Sequence, residues 1–134
     1  MQTYGLNNPT FASSSRKGHS PGLAADGNED SYWMPAEDDR SAYWILDTER
    51  GLMLNYVTAR FTEKVMCNFK IEISDDKETW YPIGVYNASD NEQDIRLELE
   101  KPLKMRFIRF SFTTNESCDM PRLAEVRAEG SVSE

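Results

Sequence analysis

The sequence predicts an all-β protein, an antiparallel β-sandwich of jelly-roll type. Three observations lead there. Short stretches alternate apolar and polar residues with period two, which sends one row of side chains inside and the next into water. Seven such stretches are joined by turn-rich loops, and no segment holds a helical period for three turns. A long polar opening segment and late strands favour a jelly-roll over a simple meander. An immunoglobulin-like sandwich is the alternative, but its usual Cys–Trp–Cys arrangement is missing.

Taken in order, residues 1–22 read as a polar loop, with Ser13-Ser14-Ser15, Gly18, Pro21 and Gly22. Tyr43 to Leu46 is the first run, and Tyr56 to Phe61 is the second. Asn68 to Ser74 alternates strictly, with Phe69, Ile71 and Ile73 on one face. A turn at Asp75-Asp76-Lys77 leads into Trp80 to Tyr86. Ile95 to Glu100 alternates again, and Met105 to Phe112 is the longest run. Leu123 to Ala128 closes the chain, with Glu125, Arg127 and Glu129 sharing one face.

Nothing in residues 1–134 splits the chain, so it is expected to form a single domain. Fifteen basic residues stand against 23 acidic ones, a formal charge of −8. That surplus repels phosphate, which argues against nucleic acid and acidic membranes as partners. The apolar runs are too short and too interrupted to span a bilayer, and no signal-peptide core is visible at the start. One histidine and two cysteines leave little for a His-rich zinc site or a Cys/His dyad. No phosphate-binding glycine loop or nucleophile elbow is present, so a non-catalytic domain is expected. Cys67 and Cys118, 51 positions apart, are either one disulfide or two buried thiols. Asn87-Ala88-Ser89 and Asn115-Glu116-Ser117 match the glycosylation pattern.

The densest chemistry lies between Ala24 and Trp33. Asp26, Asn28 and Ser31 place oxygen donors at offsets 0, 2 and 5 around Gly27. A hard cation such as calcium takes six to eight oxygens, several from backbone carbonyls of a tight loop. A plain Asx-turn accounts for the same residues.

Several segments in fixed order carry a resemblance. They are Ala12-Ser13-Ser14, Ala25-Asp26-Gly27-Asn28 with Ser31 and Trp33, and Tyr43-Trp44-Ile45-Leu46-Asp47. Ile73-Ser74-Asp75-Asp76 with Trp80, Arg106-Phe107-Ile108-Arg109 and Ala124-Glu125-Val126 follow. Over residues 11–130 the chain resembles the discoidin family (coagulation factor 5/8 type C domains) and the bacterial family 32 carbohydrate-binding modules. The resemblance implies a galactose-binding-like jelly-roll. It places Trp33, Trp44 and Trp80 at core positions. It also implies a structural calcium where the Asp-Gly loop meets the last strand. The ligands would be the carbonyls of Leu23, Asn28 and Ala124, the carboxylates of Asp26 and Glu125, and both oxygens of Ser31.

The same resemblance puts a sugar site on loops at one end of the sandwich. Galactose-binding members carry a histidine, an arginine and an Asn-Gly pair there, where this chain has Met34, Thr62 and Glu63-Lys64. The remaining candidates are His19, Trp33, Met34, Asp38, Arg40, Asn68 and Asn115. Arg16, Lys17, Glu37, Asp39, Glu116 and Asp119 lie in the same loops. In an antiparallel sandwich the loops Met34–Arg40, Phe61–Asn68 and Asn115–Asp119 return to one end, together with Cys67 and Cys118. Trp33 or Met34 would supply an apolar platform within an acidic rim that suits neutral sugars and repels anionic ones. Binding is expected at about 0.1–1 mM, because a shallow site desolvates few groups.

The expected function is therefore a monomeric carbohydrate-binding module that takes a neutral glycan or oligosaccharide. It would be covalently linked to a glycoside hydrolase and secreted, periplasmic or at the cell surface. A structural module without sugar binding is the alternative. An adhesion or lipid-binding discoidin domain ranks last, because Glu37-Asp38-Asp39 stands where such domains carry basic residues.

Overall fold

A computed structural model describes residues 2–88, 92–114 and 120–132. Seven antiparallel strands form it. They are β1 (Gln2–Tyr4), β2 (Thr10–Ala12), β3 (Tyr43–Phe61), β4 (Asn68–Ser74), β5 (Tyr81–Tyr86), β6 (Asp94–Thr113) and β7 (Leu123–Val132). Pro21–Ala24 forms a 3₁₀ turn. Neither it nor any other described helix is long and apolar enough to cross a membrane.

The pairing order is β1-β7-β3-β6-β4-β5, with β2 also on β3. Two long strands, β3 and β6, belong to both layers of the sandwich. The first part of β3, Tyr43–Asp47, pairs with β6 at Phe107–Ser111, and Trp44–Leu46 also pairs with β2. The same end of β6 pairs with β4, which pairs with β5. Beyond a break in register between Asp47 and Leu52, the rest of β3 pairs with β7 and with the first part of β6. On β6, Leu99–Pro102 lie opposite Asn55 alone, because Leu54 pairs with Leu103 and Tyr56 with Glu98. Extra residues on one strand bend it and raise its twist.

A polar latch fixes the bend in β3. Arg106 donates Nε and Nη2 to the two Asp47 oxygens at 2.9 and 3.1 Å. The Thr48 hydroxyl is shared between the Arg50 and Arg106 carbonyls. Burial pushes the Asp47 carboxyl up, but Arg106 and the Glu49 N–H outweigh it and hold it below the usual carboxylate range.

Aromatic rings from both layers fill the space between them. Phe61 of β3 lies 5.8 Å from Phe69 of β4 and perpendicular to Phe112 of β6 at 6.2 Å, centroid to centroid. Trp33 and Trp44 are fully buried, and their indole N–H groups donate to the Ser14 and Pro21 carbonyls. That satisfies the one polar group each ring carries inside.

The structure corrects the reading of the elements in three places. The opening segment is not all loop, since Gln2–Tyr4 and Thr10–Ala12 add strands to β7 and β3. The runs at Tyr43 and Tyr56 are one strand, as are those at Ile95 and Met105. Trp80 is not a core residue. It is half-buried on the outer face, under the guanidinium of Arg109, 4.2 Å from the ring centre.

Candidate functional site

The Asp-Gly loop is held against β7 by a two-way bridge. Trp33 and Leu123 exchange N–H···O bonds of 2.9 Å in each direction. Gly27 turns the loop at φ +80, a conformation that glycine adopts at no steric cost. Inside the turn, Asp26 accepts the Asn28 N–H at 3.0 Å and the Ser31 hydroxyl at 2.6 Å. Asn28 accepts the Asp30 N–H at 2.9 Å. Leu23 lies in the 3₁₀ turn that feeds this loop and packs against β7.

On β7 a bulge does the rest. Phe61 pairs with Leu123 and Arg60 with Glu125, so Ala124 has no partner in the register. Glu125 thereby comes to face Asp26. Both Glu125 carboxylate oxygens are buried and accept no hydrogen bond. Arg127 Nη1 lies 2.7 Å from Oε2 as an ion contact without hydrogen-bond geometry, and it donates to the Val126 carbonyl. Burial pushes the Glu125 carboxyl above its usual range. Arg127 opposes that shift and the neighbouring Asp26 adds to it. Burial raises the Asp26 carboxyl too, but its hydrogen bonds from Ser31 and Asn28 prevail and hold it low.

Two facing carboxylates, one of them buried and unsatisfied, form a site short of positive charge. Among the described residues no three His, Cys, Asp or Glu side chains converge. A cation here would therefore be held by two carboxylates together with hydroxyl and carbonyl oxygens. That is a hard, calcium-type donor set, and the residues present fit it.

Beside this loop runs a shallow cleft of about 400 Å³, lined by Asp30, Tyr32, Arg60, Phe61, Thr62 and Gln93, with Glu29 at its mouth. Tyr32 and Trp33 are neighbours on an extended bridge, so their rings leave on opposite sides. Trp33 goes in and Tyr32 stays at the surface. His19 stacks on Tyr32 with centroids 4.2 Å apart, and its Nδ1 is 3.1 Å from the Tyr32 carbonyl. Arg122 lies above the same ring at 5.9 Å and pairs with Glu63 at 3.2 Å. Thr62 Oγ1, Arg122 Nε and Arg16 Nε are buried without a hydrogen-bond partner.

The remaining candidates divide by place. Trp33 is fully buried and Met34 is 6% exposed, so neither offers a ring or thioether face as a platform, which corrects that expectation. Asp38 and Arg40 are exposed, and the Arg40 carbonyl accepts the N–H of Thr114 at the end of β6. Asn68 is exposed at the start of β4, opposite Thr113, and accepts the Ala88 N–H. Asp39 is taken up by the hydroxyls of Ser13 and Ser14 at 2.6 Å each and by the Ser41 N–H.

The loops 34–40 and 61–68 do meet at one end, through Arg40–Thr114, Asn68–Thr113 and Thr62–Arg122. Asn115, Glu116, Cys118 and Asp119 lie outside the described residues, as do Ser89 of the first glycosylation pattern and the whole of the second. Cys67 is buried. Sequence reasoning missed Tyr32, Gln93 and Arg122 as site residues. The signal for Tyr32 was present, since two adjacent rings on an extended segment cannot both point inward.

Among solved structures, chitosan-binding module 1 of a Paenibacillus sp. IK-5 chitosanase/glucanase superposes with a TM-score of 0.85 at 17% identity, covering 97% of this chain and 100% of that one. Module 2 of that enzyme, solved with chitotriose, gives 0.82 at 19% identity and covers 94% and 98%. CpGH89CBM32-4 from Clostridium perfringens, in complex with GlcNAc-α-1,4-galactose, gives 0.76 at 18% identity and covers 92% and 90%. At such identities the likeness is one of fold. No curated protein matches the chain. The F5/8 type C domain family matches residues 10–126, which takes in the Asp-Gly loop, both bent strands and Glu125, and the chain belongs to that family.

Proposed function

We propose that the chain is a non-catalytic carbohydrate-binding module, and that the cleft beside Tyr32 is its sugar site. One observation carries this reading: the Tyr32 ring, with His19 stacked on it, lines a shallow cleft together with the polar side chains of Asp30, Arg60, Thr62 and Gln93. An aromatic ring takes the C–H side of a pyranose, and sugar hydroxyls donate to and accept from the polar side chains that line the cleft. Around the cleft Glu29 is paired with Arg60 and Glu63 with Arg122, and Asp30 stands beside them, a near balance of charge that suits a neutral sugar. Fold relatives solved with chitotriose and with GlcNAc-α-1,4-galactose support the class.

The module would hold a linked glycoside hydrolase on its glycan outside the cell. A region making up 14% of a solved family 89 glycoside hydrolase chain from Clostridium perfringens superposes on 96% of this chain with a TM-score of 0.81 at 18% identity. Asp26 and Glu125, with Ser31 and the carbonyls of Leu23, Asn28 and Ala124, would hold calcium. Bound there, the ion supplies no chemistry beyond neutralising the two carboxylates and tying the Asp-Gly loop to β7.

Titration with chitotriose and with neutral galactose- and glucose-type oligosaccharides tests the sugar site. Binding at about 0.1–1 mM is expected for the cognate sugar. Tyr32→Ala should weaken it about tenfold or more with little change in melting temperature. No binding to any of these sugars, or unchanged binding by Tyr32→Ala, would overturn the assignment.

A further inference from the structure

A second groove lies on the outer face of the β2–β3–β6–β4 layer, away from the Tyr32 cleft. One outward row crosses that face: Phe11 pairs with Ile45, Ile45 with Arg109 and Arg109 with Glu72. The β4–β5 turn folds back over the row. Trp80 covers Arg109 at 4.2 Å, and Lys77 Nζ sits 4.1 Å from the centre of the Phe11 ring. Between them is a cavity of about 420 Å³ lined by Phe11, Tyr43, Ile45, Lys77, Trp80 and Arg109. Phe11 is 42% exposed and Tyr43 37%, so both rings meet solvent.

Charge sets this groove apart from the rest of the molecule. Glu72 is the carboxylate beneath it, and it is fully engaged. Arg109 Nε and Nη2 bind its two oxygens at 2.9 and 3.2 Å, the Ser111 hydroxyl donates at 2.7 Å and Lys70 stands 3.7 Å away. Arg109 also lines the groove, and Lys77, whose charge acts on Asp47, makes no direct ion pair among the described residues. Asp47 is held by Arg106, and Asp76 is turned onto its own turn by Ser74, Glu78 and Thr79. The groove lining thus holds Lys77 and Arg109 and no carboxylate, on a chain of net charge −8, while Asp75, Asp76 and Glu78 stand in the turn that carries Lys77.

Aromatic rings that meet solvent, beside two lining cations and no lining carboxylate, suit a sugar ring that bears an anion. We propose that this groove is a second glycan site, selective for an acidic pyranose whose carboxylate is taken by Lys77 and Arg109 while its ring lies against Tyr43 and Phe11. Its volume sits at the small end of ligand pockets, which span roughly 300–1,000 Å³. Its lining carries two cations and no carboxylate, whereas in the Tyr32 cleft Glu29 and Asp30 stand with Arg60.

The test is a titration of the isotope-labelled full chain with trigalacturonate and with its methyl ester, read on the three tryptophan indole N–H signals. Trp33 and Trp44 are buried and serve as internal references. Trigalacturonate should shift Trp80, and the ester should not. Lys77→Asn, which tolerates the φ of +68 at this position, and the exposed-ring variant Tyr43→Ala should each weaken binding about tenfold. Tyr32→Ala should leave binding unchanged, so failure here and failure of the Tyr32 site are separable. Equal binding of acid and ester, an unmoved Trp80, or a Trp80 that responds only to an Asp/Glu peptide would overturn the glycan site.

Discussion

Glu125→Gln is the sharpest perturbation available, because its effect should change sign with calcium. In the metal-free chain Glu125 is a buried carboxylate that accepts no hydrogen bond and faces Asp26. A group whose folded pKa is raised stabilises below its unfolded pKa, and that stability is lost as pH rises through the folded pKa. Above that folded pKa the wild type has lost the contribution, whereas a glutamine has none to lose. Glutamine ends the like-charge repulsion with Asp26 and brings an amide N–H that can donate to the Asp26 carboxylate, a gain of about 1 kcal/mol after the lost Arg127 contact at 2.7 Å is set against it. With roughly 2.1 cal/mol/K of unfolding entropy per residue, the 134-residue chain has about 0.28 kcal/mol/K. Without calcium, Glu125→Gln should therefore melt about 3–4 °C above wild type at neutral pH, and the gap should close near pH 4. Calcium at about a hundred times its Kd contributes about 2.7 kcal/mol, which raises the wild type by about 10 °C. The variant has lost one of two carboxylates, so its rise should be only about 1–2 °C. Thermal melts in chelator and in calcium measure all four states. A wild type that ignores calcium, or a variant that melts below it in chelator at neutral pH, would refute the reasoning.

Three further outcomes are expected. Arg109→Met leaves Glu72 buried without its bidentate partner and should cost about 3 kcal/mol in urea denaturation. Burial raises the Glu72 carboxyl, but Arg109 and Ser111 outweigh that and hold it low, so wild-type stability from this pair is present above the usual glutamate range. The gap between wild type and Arg109→Met should shrink as pH falls below that range, and a constant gap in acid would argue against the ion pair. Gly130→Ala would place a Cβ 2.5 Å from the Met53 carbonyl oxygen, so β7 must move off β3. A loss of about 2 kcal/mol, with faster amide exchange confined to β1, β7 and β3, is expected. Phe61→Ala removes the ring that joins the two layers and should cost about 3–5 kcal/mol by calorimetry.

Period-two alternation is a local property, and it revealed every core strand from Tyr43 onward, because each buries one face against the other layer. It could not reveal that two pairs of runs are single bent strands. The bend in β3 depends on Asp47 meeting Arg106, 59 positions away, and nothing near either residue announces the other. Nor could it reveal β1 and β2, which are three residues each and become strands through the edges they join. Trp80 misled for a similar reason. A tryptophan reads as core, yet the β4–β5 turn carries it outside, where the Arg109 guanidinium covers one face.

The sequence by itself determined the sandwich, the acidic net charge and the oxygen-rich turn at Asp26, since composition and short-range spacing set all three. Tertiary structure decided which carboxylate is unsatisfied, which ring of the Tyr32-Trp33 pair reaches solvent and which cations line a groove together. Each of those depends on what lies across from a residue. In a sheet protein that neighbour comes from a strand tens of residues away, as Leu123 does for Trp33 and Glu72 for Arg109.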